Sequence, residues 1–452
     1  MIPVVKNGEY TVSIEDLTYE GMGVAKIENY PIFVASALPS EIVKIHITKT
    51  TKKFAFAKVV EWLEQSSDRT AVRDVKLTQT GIAPLQHMTY SAQLSFKQKQ
   101  VKECLHKVHL DDVTVHSTVP SPHTTKYRNK AQVPVRVQDG HFHSGFYRKN
   151  SHQFIAIEDF EIQDNAIDDA LKVLMRLFDE FELTAYNEQK HEGVLRHVII
   201  RRGYYSHEMM VILVTRKKYL FKGEQLARRI IEEIPGVVSV MQNINSERTN
   251  VIMGPVTQCL AGRDYIQDEM LNHTFKISAP SFYQVNTPQA EAMYKKAIDL
   301  AQLNSNMVAL DAYCGIGTIT LSVAPHVKEI YGIEVVEEAI ENAKENARIN
   351  HLPNAYFQAG KAEVLIHQLQ RAGIQPDVIF VDPPRKGLDE RFTQTMIELS
   401  PDKIAYISCN PATFARDAAI LVEHDYRLDD VFPYDMFPQT THVECVALFT
   451  KK

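Results

Sequence analysis

Over residues 9–62 apolar and polar positions alternate; the regularity fades in the middle of the chain and returns later as strand-like and helix-like runs in turn. The stretches 10–14 and 42–47 alternate as half-buried strands do, and 32–34 and 54–62 read as further strands. Tight turns are expected at Gly21 and Gly23 and at 38–41. This pattern predicts a small five-stranded β-barrel, the usual form of an oligonucleotide-binding (OB-like) module. Residues 65–70 read as the linker that leaves it.

Residues 70–270 read as an α+β region. A basic amphipathic helix is expected over 90–108, with Leu94, Val101 and Leu105 on one face and lysines opposite. Strands follow at 131–137, 197–201 and 209–215, with helices at 166–181 and 223–234. From 271 to 452 the pattern changes. Strands at 308–310, 330–333, 378–381, 404–407 and 443–449 alternate with helices at 289–303, 318–324, 335–350, 391–399 and 413–423. Alternation at that spacing predicts a mostly parallel, doubly wound α/β sheet of Rossmann-like type. The expected organisation is therefore multidomain: a barrel at 1–62, a central α+β unit at 70–270 and an α/β unit at 271–452.

Composition narrows the class without naming a function. The 452 residues, 44% hydrophobic and 23% charged, suit two or three globular domains. No apolar run approaches the roughly 20 residues of a membrane span, and the N-terminus lacks a signal-peptide layout. The five cysteines form no Cys-x-x-Cys pair, which argues against a disulfide framework or zinc site and for a cytoplasmic protein. A net charge of −6 makes no case for nucleic acid. Between Arg73 and Lys149, however, basic residues outnumber acidic ones about two to one, alongside seven histidines. That local excess suits either phosphate binding or a merely solvated face.

Four motifs carry candidate chemistry. Cys409 sits where strand 404–407 hands over to a helix opened by Asn410 and Pro411, a good N-cap and a favoured first residue. Facing the positive end of that helix, its thiol is expected to ionise below the reference of about 8.5; the alternative is a core cysteine acting as a small hydrophobe. Residues 311–318, with Gly315 and Gly317, follow a strand and open a helix, and Glu334 ends the next strand. An acid about 20 residues beyond a glycine turn is placed to hold ribose hydroxyls. A dinucleotide would fit too, but without a third glycine a nucleoside-type ligand such as S-adenosylmethionine is favoured. Asp382-Pro383-Pro384-Arg385-Lys386-Gly387 ends the strand 378–381, at the carboxyl edge where such sheets bind ligands; a plain exit into a loop is the alternative. Glu444, beside the cysteine strand, is a candidate base or a solvated edge glutamate.

Together these segments resemble the RNA (uracil-5-)-methyltransferase family, in the family's order and over nearly the whole chain. The resemblance rests on Asp-x-x-Cys-Gly-x-Gly at 311–317, Asp-Pro-Pro-Arg-Lys-Gly at 382–387, Ser-Cys-Asn-Pro at 408–411 and His-x-Glu at 442–444. Ser281-Phe282-Tyr283-Gln284-Val285-Asn286 and the segment 127–132 match as well. Tyr19-Glu20-Gly21-x-Gly23 and Ala37-Leu38-Pro39 resemble the TRAM domain of members acting on 23S ribosomal RNA. The resemblance implies S-adenosylmethionine as cofactor, held by Gln284, Tyr313, Glu334 and Asp382. It implies Cys409 as nucleophile, Glu444 as proton acceptor, Phe282 against the target base, and RNA contacts from Arg128, Lys130 and Gln132. The expected partner is 23S rRNA, with the transfer-RNA T-loop as the same-chemistry alternative and a non-catalytic RNA-binding assembly factor as the different one. No membrane or obligate protein partner is implied. One departure stands out. Many members hold a four-iron, four-sulfur cluster through cysteines; the equivalent positions here are Asp74, Thr80, Ala83 and Phe160, so no iron–sulfur cluster is expected.

Overall fold

The computed structural model describes residues 2–452. Its N-terminal sheet has six strands in the order Glu9–Ser13, Ile42–Thr50, Ala55–Glu64, Tyr30–Ala35, Gly23–Ile27 and Asp16–Leu17. All pairings are antiparallel except that of Tyr30–Ala35 with Ala55–Glu64. Alternate residues such as Val12, Ile32, Val34, Val43 and Ile45 point inward to one core. Three expectations change here. There are six strands rather than five, because Asp16–Leu17 is too short to show a period and Gly23 belongs to a strand. Gly21 alone makes the turn, at φ +75, whereas a Cβ on Gly23 would meet Ala37 at 2.9 Å. Residues 65–70 are no loose linker. Arg69 pairs with the fully buried Glu41 and donates to the Ser36 carbonyl at 2.7 Å, and the Thr70 amide bonds His87 O at 3.0 Å.

The central sheet runs Phe154–Ala156, His141–Tyr147, Lys130–Gln138, Leu195–Arg202, Met209–Thr215, Val237–Ile244 and Val256–Gly262. Helices Asn165–Glu180 and Gly223–Glu233 pack their apolar stripes on this sheet, with Leu171, Leu174, Phe178, Leu226 and Ile230 inside. Four of the seven strands escape the sequence reading. His141–Tyr147 and Phe154–Ala156 form a short edge in which Phe142, Ser144 and Gly145 alone are buried, and Val256–Gly262 has no buried residue. Val237–Ile244 buries Ser239, Gln242 and Asn243 among its apolar residues, so it shows neither an apolar run nor an alternation.

The C-terminal sheet has eight strands, ordered Ala355–Ala359, Glu329–Glu334, Val308–Ala312, Val378–Val381, Lys403–Ser408, Glu444–Lys451, Tyr426–Tyr434 and Thr114–Val115. The first five are parallel, and Glu444–Lys451 slots in antiparallel between two neighbours. Chain order reverses between Val308–Ala312 and Val378–Val381, which opens a crevice at their carboxyl ends. The last strand of the sheet comes from residues 114–115, and helix Tyr90–His106 packs beside helix Pro411–Glu423 with Val101 and Leu105 in the same apolar cluster. Segment 90–115, expected with the central unit, is thus part of the C-terminal packing. Lys97, expected on a basic surface, is fully buried in an ion pair with Asp435 and also donates to Phe437 O at 3.0 Å.

Candidate active site

Register brings the two candidate reactive side chains together. Ser408 pairs with Cys445 across the antiparallel strands, so one step further sets Cys409 opposite Glu444. Cys409 is half-buried and Glu444 is buried. Asn410 turns the strand into the helix: its side chain accepts from the Ala412 amide at 3.1 Å, and Pro411 is the first helical residue. The same side chain donates to Arg385 O at 3.0 Å, tying the 382–387 loop to the cysteine turn. Arg416 and Asp417 hold that loop from below, through Lys386 O at 3.1 Å and the Leu388 amide at 2.9 Å. A cleft of about 530 Å³ opens over Cys409, rimmed by Arg385, His442, Lys149 and Tyr19.

The electrostatics reverse one expectation. Cys409 stands at the helix N-terminus as read, yet its thiol is pushed up to about 12 rather than down. Burial is the main cause, the carboxylates of Glu444 and Asp382 add to it, and Arg385 and a backbone hydrogen bond oppose them. Glu444 is pushed up to about 8 by burial and by Asp382. His442 drops to about 4 through burial and the nearby charges of Arg385, Lys97 and Arg128, so it is neutral.

The crevice gathers the other predicted residues. Asp311 and Asp382 end adjacent strands, and each is held up to about 7 by burial, with Asp311 adding to the shift at Asp382. Tyr313 takes a left-handed φ of +78 in the turn before Gly315 and Gly317, and its amide bonds Ile333 O at 2.9 Å. Glu334 caps the Val336 amide at 3.0 Å. Gln284 donates to the hydroxyl of Tyr294 at 3.3 Å, and Tyr294 lies close enough to Asp382 to feel its charge. Phe282 is 68% exposed on the neighbouring loop. Asn129 fixes that loop, donating to Gln284 O at 3.0 Å and Thr287 Oγ1 at 3.1 Å, while Arg201 reaches Ala279 O at 3.0 Å. Arg128 lies over Phe437 at 5.8 Å, and Lys130 is pushed down to about 7 by burial and by Arg201 and Arg128. Neither is the open basic surface that was expected. Gln132 lines a different cleft. Tyr294 and Arg201 escape the sequence reading as site supports, and Asn410, read there as an N-cap, also ties down the 382–387 loop. Tyr294 looks like any core residue of a helix, and only the quoted 127–132 segment hints at Asn129.

Residues 89–452 match the family model described as tRNA (Uracil-5-)-methyltransferase. The chain belongs to the RNA uracil-5-methyltransferase family. Residues 4–60 match the TRAM domain model. Proteins of Lactiplantibacillus plantarum and Enterococcus faecalis, each described as an uncharacterized RNA methyltransferase, are 50% and 49% identical over 100% and 99% of this chain and 99% and 98% of their own. The crystal structure of Pyrococcus abyssi tRNA (uracil-54, C5)-methyltransferase in complex with S-adenosyl-L-homocysteine superposes with a TM-score of 0.77 at 26% identity. That likeness spans 97% of this chain and 99% of the other. As an RNA uracil-5-methyltransferase the protein uses S-adenosylmethionine to methylate carbon 5 of uracil in RNA. Its crevice fits that cofactor: Asp311 Oδ1 is buried without a partner, and a side chain at Gly315 would meet nothing within 4 Å. Clustered carboxyl groups also suit a cation. The positions that would hold an iron–sulfur cluster do not fit one, since Ala83 and Phe160 are buried in an apolar cluster and neither Asp74 nor Thr80 is a thiol. Gln86 orders that segment instead, accepting from the Arg73 and Asp74 amides at 3.1 and 3.2 Å and donating to Asp74 O and Thr78 Oγ1 at 2.6 Å.

Proposed function

We propose that Cys409 is the nucleophile and Glu444 the proton acceptor of this methylation, and that the substrate is 23S ribosomal RNA. The observation that carries the chemistry is the register that sets these two residues side by side above the cofactor crevice. Carbon 5 of uracil is a poor nucleophile. When Cys409 Sγ bonds carbon 6, the electrons of the ring double bond move toward carbon 5 and the carbonyl beyond it. Arg385 eases formation of the thiolate, which burial opposes. S-adenosylmethionine, held by Gln284, Tyr313, Glu334 and Asp382, supplies an electrophilic methyl group when bound. Once carbon 5 carries the methyl group, Glu444 takes the proton left there, the C–H electron pair re-forms the double bond to carbon 6, and the carbon 6–Sγ bond breaks with its electrons returning to Cys409. Only ionised Glu444 can receive that proton, and with the carboxyl raised to about 8 the ionised fraction grows as pH rises from 7 through 8. The target uridine must leave its stack, costing a few kcal/mol, and in this reading it stacks on Phe282, whose ring is exposed.

Ribosomal RNA is favoured by the TRAM segment; transfer RNA is the second reading, favoured by the archaeal tRNA enzyme that spans 97% of the chain. In this reading residues 1–62 and 70–270 grip RNA, Gln132 among them, while 271–452, joined by 90–115, does the chemistry in the cytoplasm; Arg128 and Lys130, packed inward, shape the target loop rather than grip the strand. RNA carrying 5-fluorouridine at the target should trap a covalent complex, because fluorine replaces the hydrogen that Glu444 removes. Adduct formation by Cys409→Ala would sink the nucleophile assignment. Mapping 5-methyluridine in cells lacking the protein decides the substrate: loss from 23S rRNA supports the first reading, loss from tRNA the second.

A further inference from the structure

A second cleft, of about 650 Å³, opens on the central sheet and shares no lining residue with the cleft over Cys409. Arg136, Arg196, Arg248, Phe146, Tyr147 and Tyr186 line it, with Glu188 as its one acid. Three guanidinium groups among three aromatic rings invert the sign of a chain whose net charge is −6. The arginines have different tasks. Arg196 is spent on structure: it lies over Tyr186 at 4.6 Å and donates to Asn245 O, Glu247 O and Thr249 O at 2.8, 2.6 and 3.0 Å. It thereby shapes the loop that presents Arg248, which is exposed and makes no ion pair among the described residues. Arg136 lies over Tyr147 at 5.4 Å and bonds Val135 O at 2.7 Å. His197, also in the cleft, has a buried Nδ1 without a partner. Burial and the charges of Arg136 and Arg196 bring it down to about 4, so it is a neutral imidazole, able to donate and accept one hydrogen bond each.

This cleft lies in line with the target site. Residues 130, 132, 134 and 136 face one side of strand Lys130–Gln138, and the last three line the cleft. At the other end Lys130 pairs in register with Arg201, which holds the Ala279 and Ser281 carbonyls beside Phe282. From Lys130 to Arg136 the strand runs about 20 Å at roughly 3.3 Å per residue, the length of a few nucleotides of extended single strand. We propose that the cleft is a second RNA subsite, which takes a nucleotide flanking the target uridine with its phosphate on Arg136 and Arg248 and its base among the three rings. Stacking and phosphate contact together are how single strands are gripped. The proposal rests on RNA as substrate and on the Cys409 cleft as the target end.

The test uses the full chain and unmodified 23S rRNA and tRNA transcripts, with and without 5-fluorouridine. Arg248→Ala and Arg136→Gln should each raise the RNA concentration for half-saturation by about fivefold and lessen the salt slope by about one. The maximal rate, cofactor affinity and melting temperature should stay as in wild type, and Arg248→Glu should act more strongly. On RNA truncated to the target and its nearest neighbours, variant and wild type should converge. Equal half-saturation and salt slope on full-length RNA, or an undiminished difference on truncated RNA, would overturn the subsite. If wild type forms no 5-fluorouridine adduct, the catalytic assignment fails instead, whatever the variants do.

Discussion

Glu444, once charged, restrains the ionisation of Cys409 before any RNA arrives. The charge of Glu444 raises the thiol, but Glu444 itself titrates near 8, so below that pH it is mostly neutral and exerts little effect. Glu444→Gln should therefore be alkylated by iodoacetamide at Cys409 faster than wild type only above about pH 8, and equally fast below it. Rates that coincide at all pH values would remove the coupling. In turnover the same variant should still methylate but release RNA roughly 10²–10⁴-fold more slowly, the usual worth of a positioned base, seen as accumulating protein–RNA complex. Both residues were legible as candidates, because a strand-to-helix turn with Asn410-Pro411 and an acid on a neighbouring strand leave marks in sequence. The direction of the thiol's shift was not. Local sequence reveals the helix end, whereas the opposing carboxylates arrive from two other strands.

At the scale of elements, the carboxyl ends of Val308–Ala312 and Val378–Val381 place Asp311 and Asp382 together, each near 7. A cationic ligand favours their charged forms, so its binding releases protons below that pH and tightens as pH rises through about 7. Calorimetry in buffers of different ionisation enthalpy should detect that release for S-adenosylmethionine and much less for S-adenosylhomocysteine, whose sulfur is neutral. Equal release for both would contradict the electrostatic account. The helix Tyr90–His106 teaches a different lesson. Its limits were readable to within two residues, but Lys97 counted as surface because lysine is rarely buried. The distant Asp435, with the Phe437 carbonyl beside it, makes that burial tolerable. Lys97→Ala leaves Asp435 buried and unpaired and should cost roughly 3–5 kcal/mol in urea unfolding. An unchanged midpoint would mean that the pair is dispensable.

Across the whole molecule, the barrel is held rather than tethered. Arg69 joins its exit to Glu41, Lys99 pairs with Asp16, and a side chain at Gly21 would strike Leu85 at 2.8 Å and Thr441 at 3.3 Å. Arg69→Ala should loosen this docking, exposing residues 65–70 to limited proteolysis and raising the RNA concentration for half-saturation while cofactor affinity holds. Resistance equal to wild type would show that the other contacts suffice. The alternating strands and helices made the α/β sheet legible, and strict period-two runs did the same for the N-terminal sheet. Segment 90–115 was misplaced because its membership depends on pairing with residues far along the chain. Gln93 bonds Gln439, 346 positions away, and Lys97 reaches Asp435 across 338. The central sheet is thus an excursion from a sheet begun before it and finished after it. During synthesis the central sheet, whose pairings are mostly local, can collapse early. The helix before it must wait, its apolar face and Lys97 uncovered, until residues 411–439 leave the ribosome. A newly made chain therefore carries an unfinished catalytic sheet for most of its translation, and that interval is when it has most need of a chaperone.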